Sequence, residues 1–259
     1  VNFAVAASRL GQPSAVVGKV ARDAAGLTIL DFLGREGVDT SGLMTSSSCG
    51  NTGVVASLVD GSGERTMISH LPRGCEVSIS DVPWDLVRRA RVFHFAGYSL
   101  LPEDQRGAVL EMASEVGSAG GLVMFDPSPL VRAIPRDALS EALDASDLVL
   151  PNLSEVEALR QVGLWEKASS KSVIKLGEGG CRLPTGEVIP ALRVRVVDST
   201  GAGDAFAAGL AAGLARGMAL RDSCRLANVV AGLKVQRRGS SVAMPTWDDV
   251  RSRLGELRC

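Results

Sequence analysis

The chain has 259 residues, 46% of them hydrophobic, which suits one large α/β domain with an ample core. Its 28 basic and 29 acidic residues leave a net charge of −1, which excludes the electrostatic footprint of a nucleic-acid or anionic-membrane binder and points to a small-molecule partner. Five scattered cysteines (Cys49, Cys75, Cys181, Cys224, Cys259) form no Cys-x-x-Cys pair, and neither a signal peptide nor a membrane-length apolar run occurs, so reduced thiols in a cytoplasm are expected, without zinc or a disulfide framework.

Residues 1 to 11 read as a helix already under way that ends at Gly11, so a preceding segment is expected. Ser14 to Gly18 predicts a short apolar strand, and Thr28 to Gly37 an amphipathic helix through Ile29, Leu30, Phe32 and Leu33. Between them, Lys19 and Asp23 are assigned structural roles. Thr52 to Val59 and Arg65 to Ser69 are β-rich runs joined by Asp60-Gly61-Ser62-Gly63, a hairpin by composition. His70, Arg73 and Cys75 follow it, in a solvated loop or facing a substrate.

From Val82 onward the pattern alternates. Trp84 to Arg89 reads as helix, Val92 to Phe95 as strand, Glu103 to Glu115 as helix, and Leu122 to Phe125 as a strand running into Asp126-Pro127. Such alternation predicts parallel strands with crossover helices. Ligands of open parallel sheets gather beyond the strand C-termini, which makes Gly97, Tyr98 and Asp126 candidate pocket walls. His94, inside an apolar strand, is expected to be a satisfied core histidine.

Leu148 to Leu150 is a strand entering Pro151, after which Asn152 and Glu155, three apart, open a helix as a capping box would. Val173 to Gly180 is a strand followed by a glycine turn. Val194, Val196 and Val197 then lead, as a buried strand would, into Asp198-Ser199-Thr200-Gly201-Ala202-Gly203-Asp204, and an Ala/Leu-rich helix runs on to Gly217. At such a junction the glycines let backbone N–H groups converge with the positive helix end, a place for phosphate. Asp204 is either a helix N-terminal carboxylate or a base that takes a proton from an attacking hydroxyl. No Walker A loop occurs, and the third glycine of a dinucleotide fingerprint would fall on Phe206, which disfavours a dehydrogenase. Helices are predicted over Asp222 to Arg237 and Trp247 to Leu257.

The Asp198-to-Asp204 turn with its small-residue helix closely resembles the C-terminal signature of the ribokinase (PfkB) family of carbohydrate kinases, and Asn152-x-x-Glu155 agrees in kind and order. The resemblance implies a ribokinase-like α/β fold across residues 1–259: a three-layer αβα arrangement with a central, mainly parallel sheet and a small β lid near residues 50–75. It implies a kinase that transfers the γ-phosphoryl of Mg-ATP to a hydroxyl of a small sugar of the ribose, fructose or keto-deoxy sugar acid type. A nucleoside kinase and a sugar-binding homologue without catalysis are the alternatives.

Carried onto this chain, the resemblance makes Asp204 the base and Gly201, Ala202 and Gly203 the anion hole. Asn2 and Asp204 contact the sugar. Asn152 and Glu155 organise Mg²⁺ through its waters, unless they are only a helix cap. Lys175, Gly177, Gly180 and Asn228 hold ATP, with a solvated lysine as the other reading of Lys175. Asp198, Thr200 and Gly239, together with Lys234, Arg237 and Ala243, match the places of a monovalent cation such as K⁺. The family's opening strand, Gly-Gly loop and early substrate-binding Asp would precede Asn2, Ala21 stands where the family has an inner glycine, and Gly163 to Lys171 looks trimmed. The lid implies a homodimer.

Overall fold

In a computed structural model, residues 1–59, 65–70, 72 and 74–256 are described. The chain opens with α1 (Asn2–Arg9), β1 (Gly18–Ala21), α2 (Ala24–Arg35) and β2 (Leu43–Ser46), and then makes the antiparallel hairpin of β3 (Val54–Val59) and β4 (Arg65–His70). Helix and strand alternate next through α3 (Trp84–Val87), β5 (Val92–Ala96), α4 (Glu103–Ser118), β6 (Leu122–Asp126), α5 (Arg136–Asp144) and β7 (Leu148–Val149). After α6 (Leu153–Gln161) and α7 (Trp165–Ser169) come three short strands, β8 (Ile174–Lys175), β9 (Cys181–Arg182) and β10 (Val188–Ile189). Three helices finish the chain: α8 (Ala202–Ala215), α9 (Leu220–Lys234) and α10 (Trp247–Glu256).

The strands β5, β6 and β7 are parallel and share a ladder, and bridges from Val149 to Ser172 and from Asn152 to Lys175 carry it on to β8, β9 and β10. β1 and β2 pair in parallel as a separate ladder. Because strand side chains alternate, each central strand buries both faces. Phe95, Val123, Phe125 and Val149 pack against Val109 and Met112 of α4 and Leu139 and Leu143 of α5. Met124 and Leu148, on the opposite face, meet Phe206 and Leu210 of α8 and Ala227 of α9. Helices therefore cover both faces, giving the expected three layers. Burying one such Leu or Phe side chain stabilises the fold by about 1.5–3 kcal/mol.

Several local expectations change. The first strand is β1, from Gly18, whereas Ser14 to Val17 holds only a bridge from Ala15 to Asp39. No strand precedes the glycine turn: Val196 and Val197 are exposed, and the amides of Val197 and Asp198 both donate to the Val235 carbonyl, at 2.7 and 3.0 Å. The backbone there is spent on the end of α9 rather than on a ladder. The segment read as a trimmed loop contains α7.

Cys49 and Cys75 form a disulfide with their Cα atoms 4.9 Å apart, which corrects the expectation of wholly reduced thiols. The two residues flank the β3–β4 hairpin, so folding brings together cysteines that lie 26 apart in sequence. Cys181 and Cys224 are free and buried. The hairpin turn Asp60-Gly61-Ser62-Gly63, Arg73 and Cys259 lie outside the described residues. Among the described residues, no helix is long and apolar enough to cross a membrane.

Candidate active site

The glycine turn starts α8 by taking up the left-handed region at Gly201, φ +76°, where a Cβ would stand 3.2 Å from the Met244 methyl and 3.6 Å from the Asn2 amide nitrogen. Glycine meets both demands. No side chain caps α8, and among the described residues the amides of Gly201 and Gly203 have no acceptor. The N–H of Ala202 is different. It donates to the Ser199 carbonyl at 3.1 Å, so of the three amides expected to form an anion hole only those of Gly201 and Gly203 are open.

Asp204 lies in the first turn of α8, and its Oδ2 accepts a hydrogen bond from Asn2 Nδ2 at 2.9 Å. Asn2 Oδ1 accepts in turn from Ser241 Oγ at 2.5 Å. Val1, not Asn2, occupies the cap position of α1, so Asn2 is a strut for Asp204 across 202 residues of sequence.

Lys175 ends β8. Its ammonium pairs with Asp126 Oδ2 at 2.6 Å, both side chains being about five-sixths buried, and a Cβ on Gly203 would lie 3.6 Å from Nζ. A positive charge thus stands beside the glycine turn, held there by the carboxylate at the end of β6. The solvated-lysine reading is removed.

Asn152 and Glu155 form the capping box in both directions: Asn152 Oδ1 accepts from the Glu155 amide at 2.9 Å, and Glu155 Oε2 from the Asn152 amide at 2.8 Å. Glu155 is only 3% exposed. Burial pushes its carboxyl above the usual range, with nearby Lys175 opposing and Asp126 adding to the shift. The Tyr98 phenol is also raised, first by burial and then by the charges of Glu155, Asp126 and Asp204. The Asn152–Lys175 bridge, the Lys175–Asp126 pair and the approach of Gly203 to Lys175 bring the ends of β6 and β8 and the starts of α6 and α8 together at the strand C-termini.

His94 stacks on Phe3 with ring centroids 4.2 Å apart and 8° between planes, and burial holds it neutral against the pull of Asp126 and Asp204. Its buried Nε2 has no hydrogen-bond partner among the described residues, so it is a core histidine but not a satisfied one. Gly177 begins a tight turn. At Gly180, φ +89°, a Cβ would collide with the Ile189 carbonyl at 2.0 Å. The Asn228 amide nitrogen donates to the carbonyls of Ile189 and Pro190 at 3.0 and 3.1 Å, so this expected adenine contact is a buried strut under β10.

Asp198 Oδ1 accepts from the amide and hydroxyl of Thr200 at 2.8 and 2.6 Å, and Oδ2 accepts from the Gly239 amide at 2.9 Å. These bonds, with Lys234 nearby, hold the carboxyl far below the usual range. Lys19 pairs with Asp81 at 2.6 Å and Asp23 caps α2, the structural roles expected of both. A separate cavity of about 300 Å³, lined by Arg88, Arg89 and Arg91, opens at the other end of β5 and β6, away from this cleft. Sequence reasoning missed Ser241, and took Asp126 only as a wall; a carboxylate at a strand C-terminus was the available signal.

A family profile described as pfkB family carbohydrate kinase matches residues 1–247. An uncharacterized sugar kinase of Pyrococcus horikoshii, PH1459, is 31% identical over 250 residues, covering 92% of this chain and 80% of its own. Its crystal structure superposes with a TM-score of 0.88 over 97% of this chain and 85% of that one, at 29% identity. Fructokinase from Xylella fastidiosa with bound ATP gives a TM-score of 0.87 at 26% identity over 100% of this chain and 90% of its own.

Proposed function

Since this chain belongs to the pfkB family of carbohydrate kinases, and so is a phosphotransferase acting on sugar hydroxyls, we propose that it uses Mg-ATP to phosphorylate a small sugar. The observation that carries this reading is the Asp204 carboxylate beside the open amides of Gly201 and Gly203, with the Lys175 ammonium at the same turn. ATP bound to the X. fastidiosa relative supports the choice of nucleotide.

In this mechanism Asn2 orients Asp204, which takes the proton from the acceptor hydroxyl as its oxygen attacks the γ-phosphorus. The amides of Gly201 and Gly203 and the ammonium of Lys175 stabilise the charge that builds on the transferred group. Asp126 keeps Lys175 aimed at the turn. Gly177 and Gly180 shape the nucleotide edge. The donor set suits Mg²⁺ held mainly by phosphate and water, since among the described residues no cluster of three or more metal-ligating side chains occurs; Glu155, Asn152 and Asp126 would hold its waters. Bound Mg²⁺ would neutralise phosphate charge. The β3–β4 hairpin serves as the lid and, through its exposed apolar side chains, as a contact between two copies.

The test is an ATP-consumption screen of fructose, ribose, 2-keto-3-deoxy sugar acids and nucleosides, repeated with Asp204→Asn. Removing the base is expected to lower kcat by about 10²–10⁴-fold while the ATP Kd from calorimetry changes little. Near-normal turnover by Asp204→Asn removes Asp204 from the chemistry. Wild-type protein that binds a sugar calorimetrically without consuming ATP makes the chain a non-catalytic sugar binder.

A further inference from the structure

Lys234, the last residue of α9, is fully buried, and its Nζ donates to the main-chain oxygen of Asp198 at 2.8 Å. Removing an ammonium from water is strongly unfavourable unless the fold needs its charge. The charge sits where the catalytic turn begins. Asp198 opens the turn that leads through Gly201 and Gly203 to Asp204, and its carboxylate is fixed by Thr200 and Gly239.

At Asp198 and Lys234, two of the residues that the sequence matched to a monovalent cation, the oxygens do not fit one. The Asp198 carboxylate already accepts three hydrogen bonds, and the Asp198 carbonyl accepts the Lys234 ammonium. The Lys234 carbonyl accepts the Arg237 amide at 3.0 Å. A metal cation bound to the Asp198 carbonyl would press against an ammonium of like charge. We propose that the Lys234 ammonium is the resident cation of this turn, fixing the Asp198 end of the anion hole, and that the protein requires no diffusible monovalent cation. Lys234 touches no reacting atom in this scheme and is a positioning residue. Its effect on turnover rests on the kinase reading above; its effect on cation binding does not.

The test compares wild-type protein in potassium chloride and in choline chloride at equal ionic strength, first by thermal melting and then by turnover of Mg-ATP with the accepted sugar. The expected result is the same Tm in both salts and kcat within about twofold, because a ligand that binds only the folded state would raise Tm. Lys234→Met and Lys234→Ala are expected to lose about tenfold or more in kcat in choline and to regain it, with a higher Tm, when potassium is supplied. A potassium-dependent rise in wild-type Tm overturns the proposal, as does potassium activation of wild-type turnover or a Lys234→Met enzyme with normal kcat in choline. If both variants fail to fold, the wild-type melting comparison still decides. If the kinase reading is wrong, turnover is absent in both salts while the melting result stands.

Discussion

Glu155 illustrates how a side chain's structural place sets its charge. It completes the cap of α6 while burial raises the pH at which its carboxyl ionises above that of an exposed one. The folded protein then binds more protons at this site than the unfolded chain does, so Glu155 makes stability fall as pH rises from 4.5 through the raised value. Glu155→Gln preserves the capping box and removes this slope. Melting curves from about pH 4.5 to 7 should show wild type losing stability relative to the variant as pH rises; parallel curves would contradict it. The residue types of this site were legible through the resemblance carried by the Asp198-to-Asp204 turn and Asn152-x-x-Glu155, which also pointed to Lys175. Their partners were not. Lys175 meets Asp126 across 49 residues and Asp204 meets Asn2 across 202, and periodicity carries no information about such pairs.

Among the elements, α8 and α9 set the position of the glycine turn. They pack closely because α8 presents glycine where they cross: a Cβ on Gly209 would lie 2.8 Å from Ala227 Cα, and one on Gly213 would lie 2.6 Å from Ser223 Oγ. Gly209→Val is therefore expected to cost about 1–3 kcal/mol and to lower Tm by several degrees. Gly34→Ala is the control. Gly34 lies on an exposed part of α2 with open space around it, so alanine should add about 0.5–1 kcal/mol. A Gly209→Val protein as stable as wild type would mean the two helices can separate without loss. The pattern of helix and strand from Trp84 to Asp126 was readable because each strand is apolar on both faces and each helix on one. Residues 194–197 misled because Val194, Val196 and Val197 have the β-branched character of a buried strand, whereas the amides of Val197 and Asp198 bond to the end of α9. Helix α5 carries Ala138, Leu139, Ala142 and Leu143 on its buried side, a helical spacing that was present in the sequence and went unused.

For the whole molecule, the conspicuous surface is the β3–β4 hairpin. Val54, Val55, Leu58, Met67 and Ile68 are each more than half exposed on a two-stranded sheet, an arrangement that is marginal alone and gains from a covering partner. A second copy is the partner proposed here, and analytical ultracentrifugation should find a dimer that Ile68→Lys converts to monomer; a monomeric wild type would leave the hairpin as a lid only. The hairpin's existence was legible from its β-rich runs, but its fastening was not. Cys49 and Cys75 tie together the two places where it joins the body. With its entry and exit strapped at a single neck, a hairpin acting as a lid would swing as one paddle on a stem, and neither arm could peel away separately.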